Sequence, residues 1–124
     1  MKKLSFALAL LAACTLLAGA AFAGKLDDIK KNGVLVAGVK DSQPPFGYVD
    51  EQSKQIVGFE IDVCKYLADK LGVKLEIKPV TSATRIPMLT QGSVDIVAAT
   101  MTHKIEREAE IDFSITYFPA EQKL

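Results

Sequence analysis

The run Gly33-Val34-Leu35-Val36-Ala37-Gly38-Val39 constrains this chain more than any other segment. Seven residues in a row carry no polar side chain, so a strand built from them has no face to offer water. Such strands lie in the middle of parallel sheets, with helices packed on both sides. The rest of the chain repeats the theme. Phe59–Leu71 places Ile61, Cys64, Leu67, Ala68 and Leu71 at helical spacing and stops at Gly72, where a left-handed cap takes glycine. Val73–Val80 alternates apolar residues with Lys74, Glu76 and Lys78 and reads as a second strand. Thr84 is placed to cap a short helix ending near Gln91, with Pro87 tolerated in its first turn. Val94–Ala99 is a third apolar strand, and residues 104–110 form a short polar helix. Residues 41–55, with Pro44, Pro45 and Gly47, read as loop. Strand, helix, strand, helix, strand in this order predicts an α/β fold with a mainly parallel sheet and flanking helices.

The first 23 residues stand apart. Lys2 and Lys3 precede an apolar stretch, and Ala21-Phe22-Ala23 gives the small-x-small pattern cut by signal peptidase, so residues 1–23 are expected to be a cleavable leader for export. A membrane anchor of about 20 residues is the alternative. A second one lies in Leu11-Ala12-Ala13-Cys14, which resembles a lipoprotein box and would place lipid on Cys14; the residues after it stay apolar rather than becoming a polar tether.

The whole chain of 124 residues carries 15 Lys and Arg against 15 Asp and Glu; losing Lys2 and Lys3 leaves 13 against 15. That balance lacks the basic footprint of a nucleic-acid binder. With the leader gone, Cys64 is the one remaining cysteine, so no intramolecular disulfide can form, and its place on the apolar helix face makes it a core residue. One Cys and one His give no basis for a zinc site. Catalytic serine elbows, phosphate loops and dinucleotide fingerprints are absent from the sequence.

In parallel α/β sheets ligands bind beyond the carboxyl ends of the strands. Those ends carry Lys40-Asp41-Ser42-Gln43, Thr81-Ser82-Ala83-Thr84-Arg85 and Thr100-Met101-Thr102, all polar. Hydroxyls with Lys40, Arg85 and Arg107 nearby suit an anionic small molecule, since a guanidinium grips a carboxylate through two parallel hydrogen bonds. Position alone leaves bland roles open. Arg85 fits an exposed first-turn residue, Arg107 a solvated helix face between Glu106 and Glu108, and Lys40 a strand end. Phe46 and Tyr48 fit as core cover, and His103 as a surface histidine rather than a base.

Four stretches take the reading further: GVLVAGVKDSQPPFGYVDE (33–51), IVGFEIDVCKYLADKLGVKLEIKPV (56–80), TRIPMLTQGSVDIVAATMT (84–102) and the ERxxxxDFSxxYF pattern in 106–118. In content and order they resemble the N-terminal part of bacterial periplasmic solute-binding proteins for polar amino acids, which serve ABC importers. The resemblance implies lobe 1 of a type II periplasmic-binding-protein-like fold, closing with a second lobe over an amino acid and delivering it to an inner-membrane permease. It implies no cofactor, no metal, no catalysis and a monomer in the periplasm. In that family the Thr-x4-Arg element, here Thr102 and Arg107, binds the ligand α-carboxylate, and the residue at Thr100 lines the same pocket. Asp112-Phe113-Ser114 leading to Tyr117 resembles the approach to the hinge. Ser82-x-x-Arg85 and a basic residue at Lys40 match the glutamate/aspartate branch, while Gln43 stands where other branches carry an aromatic clamp. Two cations beyond the α-carboxylate site point to a second carboxylate, hence glutamate or aspartate over a neutral polar ligand.

The family continues well beyond the position matching Leu124. Residues 24–124 are therefore expected to hold most of lobe 1 and half of a binding site, so stand-alone binding is expected to be weak or absent. Two other functions share the fold. A periplasmic cyclohexadienyl or arogenate dehydratase would need a cleft acid, and Asp41 is the one carboxylate in the strand-end loops. A ligand-sensing domain of a signalling protein would need a membrane helix further on.

Overall fold

The computed structural model of the protein describes residues 24–120; the leader, and with it the signal-peptide and Cys14 readings, lies outside the described residues. A helix absent from the sequence reading comes first, α1 (Lys25–Asn32). It buries Ile29 alone and leaves Leu26 half exposed, so it has too little apolar periodicity to register as a helix. Two acidic residues in its first turn and two lysines in its last complement the helix dipole, and Gly33 ends it at φ 69°.

The apolar run becomes β1 (Val34–Val39), the central strand of a three-stranded parallel sheet. Its neighbours are β5 (Lys74–Pro79), paired from Val34–Lys74 to Val39–Pro79, and β6 (Ile96–Ala98), paired from Ala37–Ile96 to Val39–Ala98. Asp95 tightens the β6 side: one carboxylate oxygen accepts from Val36 N at 2.8 Å while the other pairs with Lys25 at 2.7 Å. The loop expected over 41–55 contains more order than its composition suggests. Strands β2 (Ser42–Gln43), β3 (Gly47–Val49) and β4 (Ile56–Val57) form a small antiparallel sheet across it.

Helix α2 (Phe59–Leu71) has the limits read from the sequence, and its carboxyl end closes on Gly72 at φ 69°. Ala37, Val39, Ile61, Cys64 and Ala98 make the core between helix and sheet, with a second cluster of Ile29, Leu35 and Ala68 below it. Cys64 is fully buried and free. Leu67, expected on the same face, is 40% exposed, and Glu60 is buried in its stead at 1%. The amino end of α2 has no side-chain cap. Phe59 N and Glu60 N donate instead to the carbonyls of Pro45 and Phe46 at 3.0 and 2.9 Å. That approach requires Gly58, whose φ is 132° and where a Cβ would lie 2.5 Å from Phe46 O.

Two short helices follow, α3 (Arg85–Thr90) and α4 (Ile105–Glu108). Thr84 stands at the N-cap of α3 as expected, but its side chain makes no bond into the helix and turns back to Thr81. Thr84 N donates to Thr81 Oγ1 at 3.2 Å, Thr81 N donates to Thr84 Oγ1 at 2.9 Å, and Arg85 N reaches Thr81 O at 3.1 Å. The reciprocal pair of threonine bonds locks the turn that leads into α3, in the manner of a capping box placed one turn early.

Candidate functional site

Because β1, β5 and β6 are parallel, their carboxyl ends share one edge, and the turn leaving β6 sits in the middle of it. Thr100 in that turn has φ 48°, an uncommon conformation for a β-branched residue that survives only where its surroundings over-determine it. The surroundings are charged. Glu60, from the first turn of α2, accepts a hydrogen bond from Thr100 N on Oε1 at 2.7 Å. Arg85, from α3, donates through Nη1 to the carbonyls of Ala99 and Thr100 at 2.6 and 3.3 Å. Arg107, from α4, donates through Nη1 to Thr102 O at 2.6 Å. Three helices thus send one charged side chain each to hold the backbone of Ala99, Thr100 and Thr102.

Burial is costly for two of these groups. Arg85 is 6% exposed; desolvation draws its guanidinium pKa down, the nearby charge of Arg107 adds to this, and Glu60 opposes it. Glu60 Oε2 and Arg85 Nε are both buried without a hydrogen-bond partner. A second donor shares Glu60 Oε1: the hydroxyl of Tyr117, at 2.8 Å.

Tyr117 belongs to a segment, residues 112–120, that has no regular secondary structure and folds back across the edge. Aromatic packing seats it. Phe118 meets Phe46 edge-on with centroids 4.9 Å apart, and Tyr117 lies against Phe59 at 6.2 Å. Between this segment and the strand-end turn is a cavity of about 510 Å³, within the range of small-molecule sites. Its wall consists of Gln43, Phe46, Glu60, residues 100–103 and residues 113–120.

Of the six residues singled out in the sequence, Thr100 and Thr102 line this cavity. Arg107 stands one hydrogen bond behind Thr102, half-buried, with one guanidinium nitrogen committed to the carbonyl. Lys40, Ser82 and Arg85 are not on its wall. Ser82 is exposed in the turn before α3, Lys40 is half-buried at the end of β1, and Arg85 is neither exposed nor directed at the cavity. Glu60 and His103 are also on the wall. Glu60 carries no local signal for this role, since a first-turn glutamate is ordinarily a solvated dipole partner. His103, expected at the surface, is half exposed yet reaches the wall, stacked on Phe113 at 4.6 Å and hydrogen-bonded to Glu108. Among the described residues, no group of three or more His, Cys, Asp and Glu side chains gathers as metal ligands would, and no helix is long and apolar enough to cross a membrane.

A parallel α/β lobe with a largely apolar cavity at its strand ends, carrying a few hydroxyl and charged groups, is the architecture of a ligand-binding module. The chain belongs to the bacterial extracellular solute-binding proteins, family 3, whose profile matches residues 35–124. It is similar to a glutamine-binding protein of Geobacillus stearothermophilus, 46% identical over 102 residues that make up 80% of this chain and 39% of that protein. It is also similar to a glutamate/aspartate import solute-binding protein of Salmonella typhimurium, 37% identical over 81% of this chain and 35% of that one. The chain thus spans less than half the length of these relatives. Among solved structures it resembles the arginine-bound form of domain 1 from TmArgBP, with 40% identity, a TM-score of 0.71, and coverage of 74% of this chain and 72% of that one. It likewise resembles an ancestral cyclohexadienyl dehydratase, with 39% identity, a TM-score of 0.74, and coverage of 79% and 40%.

Proposed function

We propose that this chain is the ligand-recognition lobe of a periplasmic amino-acid receptor that hands its ligand to an ABC permease, acting as a monomer and without catalysis. The observation that carries this reading is Arg107 fixed on the Thr102 carbonyl beside a cavity whose wall holds Thr100 and Thr102. A guanidinium flanked by hydroxyls and strand-end amides is the donor set that an α-carboxylate needs.

The side chain read by the cavity is better matched by an amide than by a second carboxylate. Arg107, Arg85 and Lys40 are all off the wall, but Arg107 is half-buried with one nitrogen committed to Thr102 O, whereas Arg85 is buried with Nη1 committed to two backbone carbonyls and Lys40 stays at the end of β1. Glu60 is on the wall, and its carboxylate would oppose another negative charge there. Glutamine therefore ranks above glutamate, and the Geobacillus relative named for glutamine supports that order. Glutamate or aspartate is the second reading, supported by the Salmonella relative. The ancestral cyclohexadienyl dehydratase among the similar structures favours a dehydratase by fold, but the wall offers no evident acid for one: Glu60, its one carboxylate, accepts two hydrogen bonds on one oxygen and has the other sealed, so it presents no proton-donating face.

The arginine-bound domain 1 of TmArgBP supports binding by a single lobe. Isothermal titration of this chain with glutamine, glutamate, aspartate and arginine tests the whole reading. Glutamine is expected to bind at least tenfold more tightly than glutamate. Glutamate binding more tightly than glutamine would restore the second-carboxylate reading, and no heat with any of the four at millimolar concentration would remove binding by this chain alone.

A further inference from the structure

Glu60 is the most buried charged residue described, yet it belongs to neither core cluster. Its Oε1 takes two donors from separate segments of the cavity wall: Thr100 N from the turn after β6, at 2.7 Å, and Tyr117 OH from the returning segment, at 2.8 Å. The three residues are far apart in sequence, with separations of 40 and 57 positions, so nothing local holds them together. Thr100 also adopts its left-handed φ of 48° at the point where Glu60 grips it. A carboxylate that bridges a strained binding turn and a segment without secondary structure of its own is placed to make each depend on the other.

We propose that Glu60 is a positioning residue that links the Thr100 turn to the segment carrying Tyr117, so that ligand binding at the turn and docking of that segment strengthen one another. The link is reciprocal because both donors share one acceptor atom and one buried side chain. When Tyr117 docks, its hydroxyl and the ring contacts of Phe118 with Phe46 fix the side chain that holds Thr100 N. A ligand that holds Thr100 in place then favours the docked segment by the same free energy. Burial and the Glu60 hydrogen bond both push the Tyr117 phenol pKa up, so the phenol stays a proton donor to Glu60 across the ordinary pH range. The ligand part of the inference rests on the amino-acid-binding reading above; the link between Tyr117 and Thr100 does not.

The test uses the 15N-labelled chain and the substitution Tyr117→Phe, which keeps the ring and removes only the hydroxyl. Without ligand, the Thr100 amide resonance is expected to shift in Y117F and its hydrogen exchange to quicken, although residue 117 makes no hydrogen bond to residue 100. With L-glutamine as the probe, Y117F is expected to weaken binding about fivefold, in keeping with one lost hydrogen bond to a charged group acting at second hand. In an E60A background the same Tyr117→Phe change is expected to alter affinity less than twofold, because the link is already cut. If E60A does not fold, E60Q serves, with the Tyr117 effect expected to shrink. An unmoved Thr100 amide in Y117F would overturn the proposal, as would an undiminished fivefold loss in the Glu60-substituted background, which would mean that Tyr117 touches the ligand directly. If wild-type chain fails to bind L-glutamine, the functional reading falls, while the ligand-free Thr100 amide still decides the link.

Discussion

Replacing Arg85 separates a backbone clamp from a ligand-reading cation. Arg85→Met keeps most of the stem packing and deletes the hydrogen bonds to Ala99 O and Thr100 O. The shorter bond, at 2.6 Å, is buried and charge-assisted, a class worth roughly 1.5–3 kcal/mol, and the 3.3 Å bond adds less. Deleting them leaves the fully buried Ala99 without a donor for its carbonyl. Acting the other way, the mutation removes a desolvated guanidinium whose Nε has no partner. The balance is a loss of about 2 kcal/mol, which in a domain of this size lowers the melting temperature by about 8–16 °C. Because the clamp holds the Thr100 turn and not a ligand side chain, glutamine and glutamate should lose affinity by the same factor, within about twofold. Thermal melts by circular dichroism and titrations with both amino acids measure the two effects in one pair of proteins. An unchanged melting temperature with a loss for glutamate more than tenfold greater than for glutamine would refute the clamp and return Arg85 to the ligand.

Arg107→Ala should weaken every α-amino acid by about 10–100-fold while costing under about 1 kcal/mol of stability, since the side chain is half-buried and its one described bond is to Thr102 O; titration and melting of the same variant check both halves. Gly58→Ala should cost about 3 kcal/mol, because φ 132° is open to glycine alone and the new Cβ would press on Phe46 O, whereas Gly92→Ala, at φ 73° with open space around it, should cost only about 1 kcal/mol. Denaturant titrations of the pair give the comparison. Burial, followed by the Glu60 charge, pushes the Cys64 thiol from 9.0 up to about 11. Unfolded chain therefore releases that proton first, so stability is intact below pH 9 and falls by roughly 3 kcal/mol as pH rises to 11. Tyr117, also raised, adds to the loss above pH 10. Cys64→Ala should flatten the slope between pH 9 and 10, and a slope equal to that of the wild type would count against the burial argument.

The parts of this molecule that follow a period were legible in its residues. Seven apolar residues in a row placed β1 at the centre of a parallel sheet, the spacing of Ile61, Cys64 and Ala68 set a helix whose ends match, and Gly72 closed it. Those signals are local: they express which faces of one element must leave water, and each is complete within a dozen residues. The family resemblance rested on the same segments and added the Thr102–Arg107 pair, which the structure joins through a carbonyl. Tertiary structure alone decided where the charges went. Arg85 turns inward to Ala99 and Thr100, Glu60 crosses to Thr100 and Tyr117, and the 112–120 segment returns to build a wall. A long charged side chain carries no periodicity, and its direction is set by whichever partner repays its desolvation. For Glu60 those partners lie 40 and 57 residues away, beyond the reach of any local pattern.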